Sequence, residues 1–286
     1  MQKLLNKPQF IQVKGRLLSL EKPIVMGILN ATPDSFYAES RTLVTEQIVE
    51  KAGKMLEEGA QILDVGGYST RPNASFVSVE EETARVSSAI QAILTHFPEA
   101  IISVDTFRAS VAEKAILYGA AIVNDVSGGQ ADEAMFSIVG KYGVPYILMH
   151  SGGNPQDLTQ CLHYQDLVKD IQFFFKTKID ELKLSGAKDI ILDLGFGFGK
   201  TIEQNYALLR QMDLFNIFEL PLLTGISRKS MIYKKLNTTP ENALVGTSVL
   251  HWHALEKGTN FLRVHDVKEA VQVITLYNEL GSCAFL

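Results

Sequence analysis

The chain has 286 residues, 46% hydrophobic and 21% charged, enough apolar material for a large core in one large domain or two small ones. A net charge of −5 argues against nucleic acid or an anionic membrane surface as a partner, because neither field would be complementary. Two distant cysteines, Cys161 and Cys283, form no disulfide or zinc framework, the N-terminus lacks an apolar secretion core, and no apolar run approaches the roughly 18 to 20 residues of a membrane span; the expected location is the cytoplasm.

In chain order, Phe10–Val13 and Arg16–Leu20 around Lys14-Gly15 read as a hairpin, expected to plug the floor of a barrel built by the later strands. Eight short Val/Ile/Leu-rich runs then recur at 24–29, 62–65, 101–104, 121–123, 145–149, 190–192, 221–223 and 261–264. Most do not alternate polar with apolar, as expected of parallel strands buried on both faces. Helical patterns lie between them. Ile48, Ala52, Met55 and Leu56 share one face, and Ser78 with Glu81 reads as a capping box before Val86, Ile90 and Ile93. Tyr164, Leu167, Val168, Ile171, Phe175, Ile179 and Leu182 mark the longest amphipathic helix, and Asp266 reads as the cap of a last helix carrying Val267, Ala270, Val271 and Ile274. Eight strand–helix units predict an α/β fold, a (β/α)₈ TIM barrel with an N-terminal hairpin, as a single domain over residues 1–286. A doubly wound open sheet is the competing architecture, disfavoured because no GxGxxG follows the first strand.

Chemistry in such a barrel collects at the C-terminal ends of the strands. There the chain places Asn30, Asp64, Asp105, Asn124-Asp125, Met149-His150, Asp193, Ser227-Arg228-Lys229, and Arg263 with His265. Helix capping by Asp and Asn accounts for one or two of these positions but not for seven, since helix starts such as Ser78 and Asp266 lie elsewhere. Carboxylates facing inward suit a heterocycle rich in N–H donors, and Arg71, Lys229, Arg263 and His265 suit an anion such as phosphate.

Other motifs carry less. The stretch GFGFGKT at 195–201 ends like a phosphate-binding loop, but the required first glycine falls at Leu194. It reads instead as a strand–helix loop letting backbone approach a flat ligand, with Phe196 or Phe198 against it. His251 and His253 point to different helix faces and read as core or surface histidines before zinc ligands. Phe173-Phe174-Phe175 reads as helix packing or a subunit contact.

With these residues in view, the chain resembles the dihydropteroate synthases. The matching stretches are MGILNATPDSF at 26–36, ILDVGGYSTRP at 62–72, SVDT at 103–106, IVNDVSGG at 122–129, LMH at 148–150, DLGFGFGKT at 193–201, GISRKSM at 225–231 and RVHDV at 263–267. They span the barrel in the family's order. The resemblance implies transfer of a pterin diphosphate to p-aminobenzoate. Loss of diphosphate would leave a methylene cation stabilised by the electron-rich ring, which the arylamine attacks. It implies a pterin pocket of Asp105, Asn124, Asp193 and Lys229, with Arg263 stacked on the pterin and meeting the diphosphate. Met149 and Phe198 join the substrate contacts, His265 and Asn30 the diphosphate, and Asn30 a Mg²⁺ ion. Phe36, Thr70, Arg71, Pro72 and Ser227 match the p-aminobenzoate side, and Asp34, Arg71 and Lys229 the catalytic set. A homodimer is also implied.

This chain departs from the family at Leu194, Tyr68, Asn73, Ala38-Glu39-Ser40 and His150-Ser151-Gly152-Gly153, none of which removes a pterin or diphosphate ligand. A corrinoid-linked methyltransferase sharing the barrel would not be expected to carry TPDSF, STRP and SRKS together. An inactive pterin-binding subunit would be expected to have lost Arg71, Lys229 or Asp193. The polar loops at 31–41 and 68–75 read as mobile lids.

Overall fold

The computed structural model describes residues 7–31, 40–68, 76–152 and 162–282. Strands β1 (Phe10–Val13) and β2 (Arg16–Ser19) pair antiparallel with Val13 opposite Arg16. Lys14 and Gly15 between them both have positive φ, 49° and 72°, the two-residue turn whose twist matches a hairpin.

Eight parallel strands make up the barrel: β3 (Ile24–Asn30), β4 (Ile62–Gly66), β5 (Ile101–Asp105), β6 (Ile122–Asp125), β7 (Tyr146–Met149), β8 (Ile190–Asp193), β9 (Leu222–Thr224) and β10 (Phe261–Val264). They close in sequence order, β10 bonding to both β9 and β3, which excludes the open sheet. Around them lie α1 (Ser40–Glu57), α2 (Val79–His96), α3 (Ala109–Leu117), α4 (Met135–Tyr142), α5 (Leu167–Leu184), α6 (Ile202–Arg210), the short α7 (Ser230–Tyr233), α8 (Leu244–Glu256) and α9 (Val267–Ser282). Among the described residues no helix is long and apolar enough to cross a membrane.

The strand pleat divides the core in two. Outward residues such as Leu63, Val65, Ile102, Val104, Leu148, Leu192 and Leu262 join one large cluster with the helices. Inward residues Ile24, Met26, Ile62, Ile122, Ile147, Ile191, Leu223 and Phe261 fill the lower barrel together with Ile11, Val13 and Leu20. The hairpin therefore closes the floor. At about 25 cal/mol per Å² of apolar surface, these fully buried side chains contribute roughly 1.5–3 kcal/mol each. The inward series that begins with isoleucine at the floor ends in polar residues at the mouth, because side chains of one strand face repeat every second residue.

Several boundaries differ from the sequence reading. Most barrel strands run one or two residues further toward the mouth, so Asn30, Asp105, Asn124, Asp125 and Asp193 are strand residues held by the ladder. Tyr164 precedes α5, which begins at Leu167 after the Asp166 side chain accepts from Lys169 N at 3.2 Å. Ser78 accepts from Glu81 N, but the Glu81 carboxylate pairs with Arg85 instead of closing the box. The reciprocal capping box occurs at Thr201 and Gln204. Asp266 stands just before α9, with its carboxylate taken by Arg228.

Candidate active site

The mouth is built around Arg263 on β10. Its Nε donates to Asp64 Oδ2 at 2.6 Å and its Nη2 to Asp105 Oδ2 at 2.5 Å. Asn124 Nδ2 donates to the same Asp64 oxygen at 2.9 Å. Two carboxylates thus hold one guanidinium plane, and one of them also orients the neighbouring amide. Register explains the meeting: Asp64 lies beside Ser103, and Asp105 beside Asn124, on strands that run parallel and adjacent. Among the described residues Asp64 Oδ1 and Ser103 Oγ are buried without a hydrogen-bond partner, a cost carried under the site.

Asp193 enters from β8, two strands from β10. It is 5% exposed, and Oδ1 accepts the Gly195 N–H at 2.8 Å. Gly225 lies between Asp193 and Arg263: a Cβ there would stand 3.8 Å from Arg263 Cβ and 3.9 Å from Asp193 Oδ2, in ordinary contact with both. Lys229 reaches in from the loop after β9, its Nζ donating to Phe196 O and lying 4.5 Å from the Phe198 ring centroid. Phe198 and Phe107 pack against Met149 and Val126 as a small apolar cluster at the mouth.

Arg228, between Ser227 and Lys229, adopts φ 56° and makes a two-pronged pair with Asp266 at 2.8 and 2.6 Å. That latch joins the β9 loop to the end of β10. Across the same junction His265 N donates to Ser227 Oγ at 3.2 Å, and its Nδ1 lies 3.1 Å from that oxygen. Asn30 stands exposed at the rim, on the strand next to β10.

The charges compensate one another at this mouth. Burial pushes Asp105 up to about 7, with Asp64 adding to the effect and Arg263 opposing it. Burial also raises Asp193, against the pull of Lys229, the Gly195 N–H and Arg263. Lys229 is pushed down to about 8 by burial, opposed by Asp193. Burial alone would lower Arg263, but Asp64 and Asp105 outweigh it and hold the guanidinium charged.

The sign of the Asp105 shift gives a stability prediction. A carboxyl raised on folding stabilises the fold below its unfolded pKa, and that contribution is lost as pH rises toward about 7. Asp105→Asn should therefore raise Tm by several degrees at pH 8 and by less at pH 5, with Arg263 still able to donate to the amide oxygen. Equal or reversed shifts in a thermal melt at the two pH values would disprove this.

Of the residues singled out from sequence, Asp105, Asn124, Asp193, Lys229 and Arg263 converge, Met149 meets Phe198, and Ser227 meets His265. Asp34, Phe36, Thr70, Arg71 and Pro72 lie outside the described residues, as do most of the two loops read as lids. Lys229 donates to the backbone carbonyl of Phe196. Sequence reasoning marks Asp64 only as a strand-end residue, with no role of its own. Its signal is there: Asp64 stands two residues before Gly66, the ladder partner of Asp105, and so shares that residue's strand face. Tyr68 packs edge-on to Phe107 at 5.4 Å between centroids, and the Arg108 guanidinium lies 5.3 Å from its ring.

Residues 26–265 match the family described as pterin binding enzyme. The chain belongs to that family. It is also 41% identical to the dihydropteroate synthase of Escherichia coli strain K12 over 263 residues, covering 91% of this chain and 93% of that one. Identity to the dihydropteroate synthase of Bacillus subtilis is 36% over 98% of this chain and 96% of that one. The fold superposes on the Xanthomonas albilineans dihydropteroate synthase solved with 4-aminobenzoic acid with a TM-score of 0.88 at 34% identity, over 96% and 98% of the two chains. It likewise superposes on the Yersinia pestis dihydropteroate synthase solved with a sulfonamide drug with a TM-score of 0.88 at 38% identity, over 96% and 99%. Within the pterin-binding enzymes, the chain belongs to the dihydropteroate synthases, transferases of folate biosynthesis.

Proposed function

We propose that this chain condenses 6-hydroxymethyl-7,8-dihydropterin diphosphate with p-aminobenzoate, giving 7,8-dihydropteroate and diphosphate. The observation that carries the reading is the convergence, at one end of the barrel, of the buried Asp193 carboxylate and an Arg263 guanidinium held in plane by Asp64 and Asp105. A carboxylate and a guanidinium so placed suit the N–H edge and the face of a flat heterocycle.

In this reading Asp193 accepts from the 2-amino and ring N–H groups, Asp105 and Asn124 line the same pocket, and Lys229 turns from Phe196 O to the pterin carbonyl. Met149 and Phe198 close the apolar side. Arg263 keeps its plane because two carboxylates hold it, so stacking needs no further ordering. His265, Arg263 and Asn30 gather around the leaving diphosphate. Phe36, Thr70, Arg71, Pro72 and Ser227 receive p-aminobenzoate, with Asp34, Arg71 and Lys229 as the catalytic set. The aniline nitrogen is already neutral at pH 7, so the protein's work is charge stabilisation and positioning, not deprotonation by a strong base.

In the same reading Asn30 would hold a Mg²⁺ ion that arrives with the substrate. Asn30 offers one exposed amide oxygen at the rim, and this ion keeps most of its octahedral shell from phosphate oxygens and water. When bound, it would neutralise charge on the departing diphosphate. Pure protein given both substrates and Mg²⁺ should release diphosphate, and excess EDTA should abolish turnover while a pterin lacking diphosphate still binds. Absence of diphosphate release would overturn the function, and full activity in EDTA would overturn the metal role.

The reading extends to a cytoplasmic homodimer. Val245 and Val249 on α8 and Leu276 and Leu280 on α9 are exposed by 62–76%, on neighbouring helices. These residues support a second copy as the covering surface.

A further inference from the structure

The 195–201 loop ends like a phosphate-binding loop, yet its lysine has no part in the function derived for this site. A phosphate-binding lysine faces its ligand. Lys200 turns the opposite way and is 7% exposed. Its Nζ lies 2.9 Å from His150 Nδ1, 3.0 Å from Gly195 O and 3.0 Å from Phe198 O, with His150 O at 3.4 Å. An ammonium has three protons, and the three nearer acceptors match them. Nothing is left to point at a ligand.

Burying such a group is expensive. Desolvation pushes Lys200 down to about 7 even though Asp193 opposes it. His150, buried beside it, is held well below the usual histidine range by the same desolvation and by Lys200, which suits a neutral ring accepting at Nδ1.

What the cost secures is the shape of the loop. Gly195, Gly197 and Gly199 have φ of 66°, 82° and 62°, and a glycine-rich segment has no strong conformational preference of its own. Two side chains define it. Lys200 gathers the carbonyls of Gly195 and Phe198, while Asn205 accepts from Gly197 N at 2.7 Å and donates to Thr201 O at 2.7 Å. The resulting path turns Phe196 O to Lys229 and sets the Phe198 ring beneath it. Close packing enforces the path, since a Cβ on Gly195 would come within 1.9 Å of His150 O.

We propose that Lys200 is a positioning residue: its buried amino group, held by His150 and the carbonyls of Gly195 and Phe198, shapes the 195–199 loop so that Lys229 and Phe198 stand where the pterin docks. The role rests on the pterin pocket of the proposed function.

Lys200→Met keeps the length of the side chain and removes its charge. Steady-state kinetics of diphosphate release should show the KM for the pterin diphosphate raised about tenfold or more, with the KM for p-aminobenzoate within about twofold. Melting should stay within a few degrees of the parent, and Lys200→Arg should recover part of the loss. A pterin KM unchanged, or both KM values raised alike, would overturn the proposal. Should Lys200→Met fail to fold, His150→Phe keeps a ring against Phe174 while removing the Nδ1 acceptor. It should raise the pterin KM by about threefold, the size of one lost hydrogen bond, and an unchanged value would be equally fatal. A parent chain that releases no diphosphate would overturn the function and this role with it. A fully active Lys200→Met variant would overturn the role alone.

Discussion

Asp193→Asn should fold, melt at or above the parent temperature at pH 8, and lose pterin affinity by a factor on the order of 10²–10³. The two halves of that result have separate causes. Asn Oδ1 can keep accepting the Gly195 N–H that Asp193 Oδ1 now accepts at 2.8 Å, so the local backbone is retained. Its Nδ2 is a donor, however, and would meet the donor edge of the heterocycle where a carboxylate oxygen had accepted. Stability moves the other way because burial raises Asp193 on folding. An acid raised in the folded state opposes folding increasingly as pH rises above its unfolded pKa, and the amide removes that opposition. Calorimetric titration with a non-reactive pterin, alongside a melt at pH 8, checks both halves. Parental affinity in the folded variant would remove Asp193 from the pterin site.

Arg263→Met should be the most destabilising single change at the mouth, by roughly 3–5 kcal/mol, because it leaves buried carboxylates without their counter-charge. Asp64 is 1% exposed, and among the described residues its Oδ1 already lacks a partner; losing the guanidinium leaves its Oδ2, among those residues, with the Asn124 amide. For a protein of this size such a loss corresponds to a Tm lower by roughly 5–10 °C. The control is the triple variant Asp64→Asn, Asp105→Asn, Arg263→Met, in which the repelling charges are gone. It should recover most of the lost Tm and none of the activity. Recovery of activity would show that Arg263 serves only to neutralise the two carboxylates, and no recovery of Tm would show that its packing, not its charge, holds the mouth together.

The barrel was legible because its rule is short. A strand buried on both faces reads as an unbroken apolar run, and eight such runs separated by helical patterns leave few topologies open. The polar residue ending most runs was equally plain, since Asp, Asn and Arg have no reason to close apolar strands one after another. The ends fall too early in the sequence reading for the same reason: Asp105 and Asp193 look like the first loop residues, whereas ladder hydrogen bonding continues through them. Side-chain polarity does not report where backbone pairing stops.

What the sequence by itself determined, then, was the order and spacing of the strands and the set of charges they carry to one end, because both follow from local pattern. Which of those charges meet was decided only by closure of the barrel. Arg263 and Asp64 are 199 residues apart in the chain, and Arg263 and Asp105 158 apart. They touch because β10 pairs with β3 and closes the ring, a relation that no local spacing encodes. The same holds for Lys200, whose motif suggested a phosphate and whose partner His150 lies 50 residues earlier. A lysine's neighbours in sequence say that it can carry charge to a loop. Whether that charge faces outward to a ligand or inward to the loop's own carbonyls depends on the packing of β7 against β8, and is settled only in three dimensions.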